Sequence, residues 1–259
     1  MNLRIKAFLL AITLLNSSAT ERPTANVVDT VVIDAGHGGK DPGTHGVKTK
    51  EKDVALTIAL KVGNYIEKNI PGVKVIYTRK NDTYLGLDER AEVANKAKAD
   101  LFICIHANAV PKEEIYGTET YVMGLHKSEG NLDVAKRENS VILLDNNYQE
   151  RYEGFDPNSP ESYILFSLAQ SAYQESSIKF AEKVESQFKN RLGRRSHGVK
   201  QAGFWVLWRT AMPSVLIEVG FLTNNKEEKF LSNEDGQDLI ASAIYRAFKD
   251  YKAQVESIN

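Results

Sequence analysis

The sequence predicts a single α/β domain whose central sheet is mostly parallel. Short apolar runs, which are typical of buried strands, alternate along the chain with longer segments that repeat apolar residues at helical spacing. This alternation favours strands joined by helical crossovers, and 259 residues are enough for one large domain. We expect strands at 27–33, 73–77, 101–105, 117–123, 204–207 and 215–217.

Helical spacing of apolar residues marks the segments between these strands. Ser232 and Asn233 are both placed to cap the last of them, because short polar side chains accept hydrogen bonds from free N–H groups at a helix start. We expect helices at 52–68 and 88–98, one long helix or two abutting ones over 162–191, and a final helix that ends near Ala253.

The first 19 residues have the three parts of a secretory signal peptide. Two basic residues are followed by an apolar run at 7–15, which is too short to span a bilayer, and by small residues at 17–19. The alternative is a short hydrophobic helix that is retained. Residues 20–26 would form a short disordered lead, and the folded domain would cover 27–253.

Net charge and cysteine content limit the binding partners and the cell compartments that we expect for this protein. A net charge of −1 gives no electrostatic case for binding nucleic acid. Cys104 is the only cysteine, so no internal disulfide forms even in an oxidising compartment. Together with the signal peptide, this predicts an exported protein of the periplasm or cell envelope.

One connection departs from the alternation of strands and helices. Residues 124–161 are polar and of mixed charge, and they end in Asp156-Pro157-Asn158-Ser159-Pro160. Connections of this length in compact domains are usually functional or disordered. We therefore expect an inserted helical or irregular segment here.

Four residues indicate a catalytic zinc site. His37, His106 and Glu218 each end an apolar run, and Glu51 opens the first predicted helix. Ligands of open α/β sheets bind beyond the carboxyl ends of strands, where these side chains would converge. Two imidazoles and a carboxylate leave one zinc position for water, and a second carboxylate can move protons. The spacing leaves open which glutamate is the ligand.

The surroundings of these residues offer further candidates. Asp34 and Asp41 are close enough in sequence to orient His37, because the ring N–H opposite a metal needs an acceptor. Cys104 shares a strand face with His106, although a small buried strand residue is the simpler interpretation. The remaining histidines are interpreted as solvated: His45, His126 and His197.

Short motifs, taken in order, resemble the zinc-dependent N-acetylmuramoyl-L-alanine amidases of the amidase-3 type, the cell-separation amidases of bacteria. Each motif is short, but the ordered set spans nearly the whole chain after the signal peptide. The matching residues are 33–39, Glu51, Thr78-Arg79, Asp82, Leu87, Arg90, Ala94-Asn95, 105–109, Gly117, 213–221 and Asn224.

This resemblance implies a fold and an activity. It implies a mixed six-stranded sheet flanked by helices, zinc bound by His37, Glu51 and His106, and Glu218 as the catalytic carboxylate. Asn108, in the motif that contains His106, is the candidate substrate-binding residue. The implied reaction is hydrolysis of the amide that joins N-acetylmuramic acid to L-alanine in peptidoglycan, for wall turnover and daughter-cell separation.

The long polar connection resembles a regulatory insertion of some family members. In those relatives a helix of the insertion places a glutamate over the zinc until an activator protein relieves it. The resemblance implies that residues 134–139 form such a helix and that Glu138 is the blocking residue. Its rivals are Glu129, Glu150 and Glu153, and the alternative is a solvated loop.

Two other functions are compatible with the residues. A second class of zinc hydrolase, a peptidase of the peptidoglycan stem peptide, would use the same ligands on a different bond. A non-catalytic peptidoglycan-binding regulator would not need all four site residues, so their joint presence argues against it.

Overall fold

A six-stranded mixed sheet forms the centre of the molecule, as expected. The computed structural model describes residues 27–164, 166 and 172–257. The sheet order is β2-β1-β3-β6-β4-β5; β4 and β6 are antiparallel, and the other neighbouring strands are parallel. The strands are β1 Thr30–Ala35, β2 Lys74–Tyr77, β3 Leu101–Asn108, β4 Thr118–Met123, β5 Ser196–Ala202 and β6 Ser214–Phe221.

Helices cover both faces of this sheet. The last one starts after Asn233, whose side chain accepts a hydrogen bond from the Asp235 backbone N–H, as the capping prediction required. The described helices are α1 Glu51–Asn69, α2 Leu87–Ala97, α3 Glu129–Asn139, α4 Tyr148–Arg151, α5 Gln174–Asn190, α6 Trp205–Trp208, α7 Asn225–Leu231 and α8 Glu234–Glu256.

Each sheet face carries its own apolar core, because successive strand residues point to opposite faces. On one face, α1, α5 and α8 pack over Val31 and Ile33. On the other face, α2, α6 and the inserted segment cover Val32 and Phe102. The sheet is therefore buried on both sides, and polar side chains gather at its carboxyl edge.

The insertion at 124–161 is an ordered part of the second core. It contains α3, the 3-10 turn Ser140–Leu144, α4 and the 3-10 turn Pro160–Tyr163. Its sequence looks polar because only a few side chains point inward. Those that do are fully or almost fully buried against Phe204 and Trp205: Val134, Ala135, Val141, Ile142, Tyr152 and Phe155.

One element prediction was wrong, and two elements were missed. Residues 204–207, expected as a strand, begin the short helix α6, because a four-residue apolar run does not distinguish a buried strand from a buried helix. β5 was missed because it is a half-buried edge strand without apolar alternation. α7 was also missed, although Asn224 caps it with two backbone hydrogen bonds.

Other predictions fall partly or wholly outside the described residues. The signal peptide at 1–19 and the lead at 20–26 lie outside them. The helix expected over 162–191 is described as α5 and the 3-10 turn Pro160–Tyr163, with 165 and 167–171 outside the description. Among the helices that the structure describes, none is both long and apolar enough to cross a membrane.

Candidate metal and catalytic site

His37 lies in a tight loop directly after β1. Its backbone φ is 61°, a left-handed conformation that a non-glycine residue adopts only when the surroundings hold it there. Two buried arginines do so. Arg79 donates to the carbonyls of Ala35 and Gly36 at 2.9 and 2.7 Å, and Arg90 donates to the His37 carbonyl at 2.7 Å. The loop is thus fixed before any ligand binds.

Of the two aspartates expected to orient His37, Asp41 contacts it and Asp34 does not. Asp41 Oδ2 lies 2.7 Å from His37 Nδ1. Asp34 instead accepts from Arg90 at 2.8 Å and from Thr78 at 2.6 Å. Burial opposes the charge of Asp34, but Arg90 overcomes this and lowers its pKa. Asp34 therefore supports the loop through Arg90, and a direct contact with His37 was the wrong expectation.

Glu51 is the first residue of α1 and is fully buried. Its Oε2 accepts from the Thr44 N–H at 2.8 Å, and its Oε1 accepts from the Ala107 N–H at 3.0 Å. These backbone donors aim the carboxylate at the carboxyl edge of the sheet. His106 reaches the same point from within β3, which continues three residues beyond the predicted strand end.

Three of the predicted site residues meet at one point, together with Glu138. His37 Nε2, His106 Nδ1 and Glu51 Oε1 lie 2.9–3.1 Å from one another. Glu138 Oε2 lies 3.2 Å from the His37 nitrogen and 3.0 Å from the His106 nitrogen. With metal–ligand bonds of about 2.0–2.1 Å, a tetrahedral site places neighbouring ligand atoms roughly 3.3 Å apart. The cluster has close to this spacing.

The hydrogen bonding supports a metal at this point. Glu138 Oε2 is buried and has no hydrogen bond with any described residue, although two ring nitrogens lie within 3.2 Å of it. Such an arrangement is expected when lone pairs point to a common centre instead of toward one another. Asp41 holds the other nitrogen of His37, which leaves Nε2 free to coordinate. The donor set therefore fits a divalent metal that prefers nitrogen and oxygen ligands.

Burial and close charges shift the pKa values in this cluster. Burial opposes the charged form of His37, but Glu51 and Asp41 raise its pKa well above the ordinary value. Burial likewise disfavours ionised Glu51, yet His37 lowers its pKa. Burial acts in the same direction on Glu138, and the neighbouring histidine and Arg137 lower its pKa well below the ordinary value. Both carboxylates are therefore held ionised.

Glu218 lies beside the cluster on the neighbouring strand. It is opposite His106 in the β3–β6 register and opposite Glu119 in the β4–β6 register, so it lies inside β6 and not at its end. It is fully buried, and neither oxygen accepts a hydrogen bond from a described residue. Burial and Glu138 raise its pKa well above the ordinary value. A buried, unpartnered carboxyl of this kind suits proton transfer.

Asn108 ends β3 and is oriented by a buried acid that the sequence did not single out. Its Nδ2 donates to Glu119 Oε2 at 3.1 Å. Glu119 also accepts from Tyr121 at 2.7 Å and from Lys200 at 2.5 Å. An ionised carboxylate can only accept, so the amide nitrogen of Asn108 must face Glu119 and the amide oxygen must face the site.

The insertion reaches the site through the last turn of α3. Arg137 donates from Nε to Glu138 Oε1 at 2.9 Å, from Nη2 to Asn108 Oδ1 at 3.0 Å and from Nη1 to the Ala109 carbonyl at 3.0 Å. Its Nη2 also lies 3.5 Å from Glu218 Oε1. Arg137 was not among the sequence-predicted site residues, because one cation on an amphipathic helix carries no distinguishing signal.

The other candidates lie elsewhere. The rivals of Glu138 are exposed, and one of them pairs with Arg209 at 3.2 Å: Glu129, Glu150 and Glu153. His45 is exposed, His126 is half-buried, and His197 contacts the Tyr116 carbonyl at 2.9 Å. A cleft of about 330 Å³ opens between the His37 loop and α3, and Glu138 forms part of its wall.

The sequence of this chain matches one protein-family model and several curated proteins. Residues 31–250 match the amidase-3 family model, which is described as N-acetylmuramoyl-L-alanine amidase. The N-acetylmuramoyl-L-alanine amidase AmiC of Escherichia coli O6:H1 is 33% identical over 233 residues. That match covers 86% of this chain and 52% of AmiC, so the chain spans about half the length of that relative.

Solved structures of N-acetylmuramoyl-L-alanine amidases and of a related amidase are also similar to this chain. The N-acetylmuramoyl-L-alanine amidase of Clostridium difficile 630 is 30% identical, with a TM-score of 0.65 over 86% of this chain and 96% of that one. The CwlD amidase of Clostridioides difficile, in complex with the GerS lipoprotein, is 27% identical, with a TM-score of 0.65 over 87% and 99% of the two chains.

Proposed function

The chain belongs to the amidase-3 family of N-acetylmuramoyl-L-alanine amidases, and we propose that it is a zinc-dependent member that hydrolyses the amide between N-acetylmuramic acid and L-alanine in peptidoglycan. The observation that carries the proposal is the convergence of His37 Nε2, His106 Nδ1 and Glu51 Oε1 within 2.9–3.1 Å beside the buried Glu218, whose oxygens accept no hydrogen bond from a described residue.

Zinc fits this donor set best among the common metals. Two imidazoles and a carboxylate are a typical catalytic zinc triad, whereas calcium and magnesium prefer all-oxygen sites. His37, His106 and Glu51 would hold it. Zinc bound by them would acidify a water molecule and polarise the amide carbonyl.

The chain's own residues then perform the proton transfers. Glu218 accepts the proton of the attacking water and passes it to the leaving nitrogen, because its carboxyl adjoins the cluster and takes no hydrogen bond from the described residues. Asn108 presents its amide oxygen to the substrate. Asp41 keeps His37 in the tautomer whose Nε2 lone pair faces the cluster.

Asp41→Asn tests the orientation of His37. The amide removes the charged acceptor from His37 Nδ1, so we expect zinc affinity to fall about 10–100-fold. Competition with a chromophoric chelator measures the affinity, and Asp53→Asn, an exposed change in the first turn of α1, is the control. Equal affinities in all three proteins would contradict the role of Asp41.

Mass spectrometry of digested muropeptides tests the reaction itself. The zinc-loaded protein should release intact stem peptides from the glycan, and chelation should stop the release. Products shortened within the stem peptide would instead identify a peptidase. Binding to purified sacculi without any product, from an activated variant, would favour a non-catalytic wall-binding regulator.

We further propose that the insertion holds the resting enzyme inactive. Glu138 Oε2 lies at the point that the attacking water must reach, 3.0–3.2 Å from both histidine nitrogens. A carboxylate in this place excludes water from the fourth metal position. Activation then requires the end of α3 to move, and an activator protein that binds the insertion would supply that movement. The complex of CwlD with the GerS lipoprotein is an example of a similar amidase bound to a partner.

Glu138→Ala should raise the rate of muropeptide release. If the site is open in a tenth of the molecules or fewer, opening it fully increases the apparent activity about 10-fold or more. The control is Glu129→Ala, which removes an exposed acid from the other end of the same helix. Unchanged activity of a folded, zinc-loaded Glu138→Ala protein would rule out the blocking role.

The proposed setting is the cell envelope. A signal peptide at 1–19 would export the chain, and the substrate lies outside the cytoplasmic membrane. There the enzyme would act in wall turnover and daughter-cell separation. Fractionation of cells that express the full chain should recover the mature protein, cleaved after residue 19, outside the cytoplasm.

A further inference from the structure

Arg137, the residue before Glu138, makes contacts that the blocking role of Glu138 does not explain. A single carboxylate is sufficient to fill the fourth position of a metal. The structure nevertheless places a second side chain, Arg137, in the same site, where 28% of its surface stays exposed. Its guanidinium reaches Asn108, Ala109 and Glu218 on the strand side of the cluster.

Arg137 occupies a site built from hydrogen-bond acceptors. Three oxygens surround the guanidinium on the strand side: Asn108 Oδ1 at 3.0 Å, the Ala109 carbonyl at 3.0 Å and Glu218 Oε1 at 3.5 Å. The Asn108 oxygen is held in this direction because Glu119 captures the amide nitrogen. Asn108 and Glu218 are buried, and the Ala109 N–H already donates to Asn108 Oδ1 at 2.8 Å. Buried oxygens with remaining lone pairs are still costly unless further N–H donors reach them. The site therefore selects a nitrogen group with several protons, preferably a cation.

The reaction produces such a group. Hydrolysis of the muramyl amide breaks the bond between the acyl carbon and the alanine nitrogen. The water contributes its oxygen to the acyl group, which becomes the lactyl carboxylate, and its protons allow the nitrogen to leave as an amine that becomes an ammonium. The two products are thus one carboxylate and one cation, formed side by side.

Glu138 and Arg137 reproduce this pair. The Glu138 carboxylate adjoins the two histidine nitrogens, where the acyl group of the substrate must lie, and its other oxygen contacts Arg137 Nε at 2.9 Å. The guanidinium adjoins Glu218, which must give its proton to the leaving nitrogen. Carboxylate and cation therefore lie on the sides that the proton transfer requires.

We propose that Asn108 Oδ1, the Ala109 carbonyl and Glu218 form the subsite for the α-amine of the leaving L-alanine, and that Arg137 fills it in the resting protein as Glu138 fills the acyl position. This inference rests on the proposed amidase function. The insertion then imitates both charged products, with Glu138 in place of the lactyl carboxylate and Arg137 in place of the alanine ammonium. Glu119 becomes a positioning residue, because it orients the amide of Asn108.

Peptide binding tests the subsite apart from catalysis. The probes are the stem-peptide fragment L-alanyl-γ-D-glutamate with a free amine and the same peptide N-acetylated, titrated calorimetrically into the zinc-loaded full chain. In Arg137→Ala/Glu138→Ala protein we expect the free amine to bind roughly 10–100-fold tighter than the acetylated peptide, as charge-assisted hydrogen bonds allow. The wild-type protein and a Glu129→Ala/Lys136→Ala control should bind neither.

A further substitution identifies the acceptor. Asn108→Leu, added to the open double variant, keeps the side-chain volume and removes the oxygen, so the preference for the free amine should disappear. As a second readout, the free-amine peptide should competitively inhibit the amidase activity of the Arg137→Ala/Glu138→Ala protein, and the acetylated peptide should not.

The outcomes separate this inference from the amidase function. If the open variant releases stem peptides but binds both probe peptides equally, the amine subsite is wrong and the amidase function stands. If Asn108→Leu keeps the preference for the free amine, the assignment of Asn108 is wrong. If a folded, zinc-loaded open variant neither cleaves muropeptides nor binds either probe, both the function and the subsite are wrong.

Discussion

Glu218→Gln is expected to lower amidase turnover by about 10²–10⁴, the usual contribution of a positioned general base and acid. The carboxyl is fully buried beside the metal cluster, and no described residue donates a hydrogen bond to it. Glutamine keeps its size but cannot accept the proton of the attacking water. The comparison is best made in a Glu138→Ala background, where the site is open and the baseline rate is high.

Metal analysis distinguishes lost chemistry from lost structure. Glu218 is not among the four residues that converge on one point, so Glu218→Gln should retain its zinc and its melting temperature. Glu92→Gln, an exposed change on α2, is the control for an amide in place of a surface acid. A Glu218→Gln protein with undiminished turnover would remove this residue from the mechanism.

His106→Ala is expected to abolish activity through loss of the metal. Removing a ligand should weaken zinc binding by more than the about 10–100-fold cost of losing an outer hydrogen-bond partner. The purified variant should therefore contain little zinc and show no muropeptide release. Inductively coupled plasma mass spectrometry gives the zinc content, and a competition titration gives the affinity.

His197→Ala is the matched control, since His197 lies on edge strand β5 and contacts the Tyr116 carbonyl. It should keep both zinc and activity. If His106→Ala bound zinc as tightly as the unaltered protein, the metal centre would have to use other residues.

The fold class was predictable because strong apolar runs specify the central strands. β1, β3 and β6 are buried on both faces and read as continuous apolar stretches. The edge strand β5 carries no such signal, since Lys200 and its neighbours are only half-buried. Residues 204–207 were misassigned because the burial of a short segment does not determine its backbone conformation.

The candidate site was predictable where residue type alone suggests chemistry. Histidines and glutamates beside apolar strands marked His37, Glu51, His106 and Glu218, and the structure brings the first three to one point with Glu218 opposite His106 on the next strand. Arg137 and Glu119 were missed because their roles depend on contacts between different secondary-structure elements. Glu119 acts on Asn108 across neighbouring elements, and no local pattern separates it from any other strand glutamate.

The buried side of the insertion limits how the enzyme can open. Side chains such as Val141, Ile142, Tyr152 and Phe155 lie in the second apolar core. Exposing a large apolar side chain costs about 1.5–3 kcal/mol, so peeling away these four alone would cost roughly 6–12 kcal/mol, comparable with the stability of a whole domain. A partner therefore cannot lift the segment off like a lid. It must instead move only the end of α3, while the other buried side chains of the insertion stay packed in the second core. Deleting residues 125–160 would expose part of that apolar sheet face to solvent.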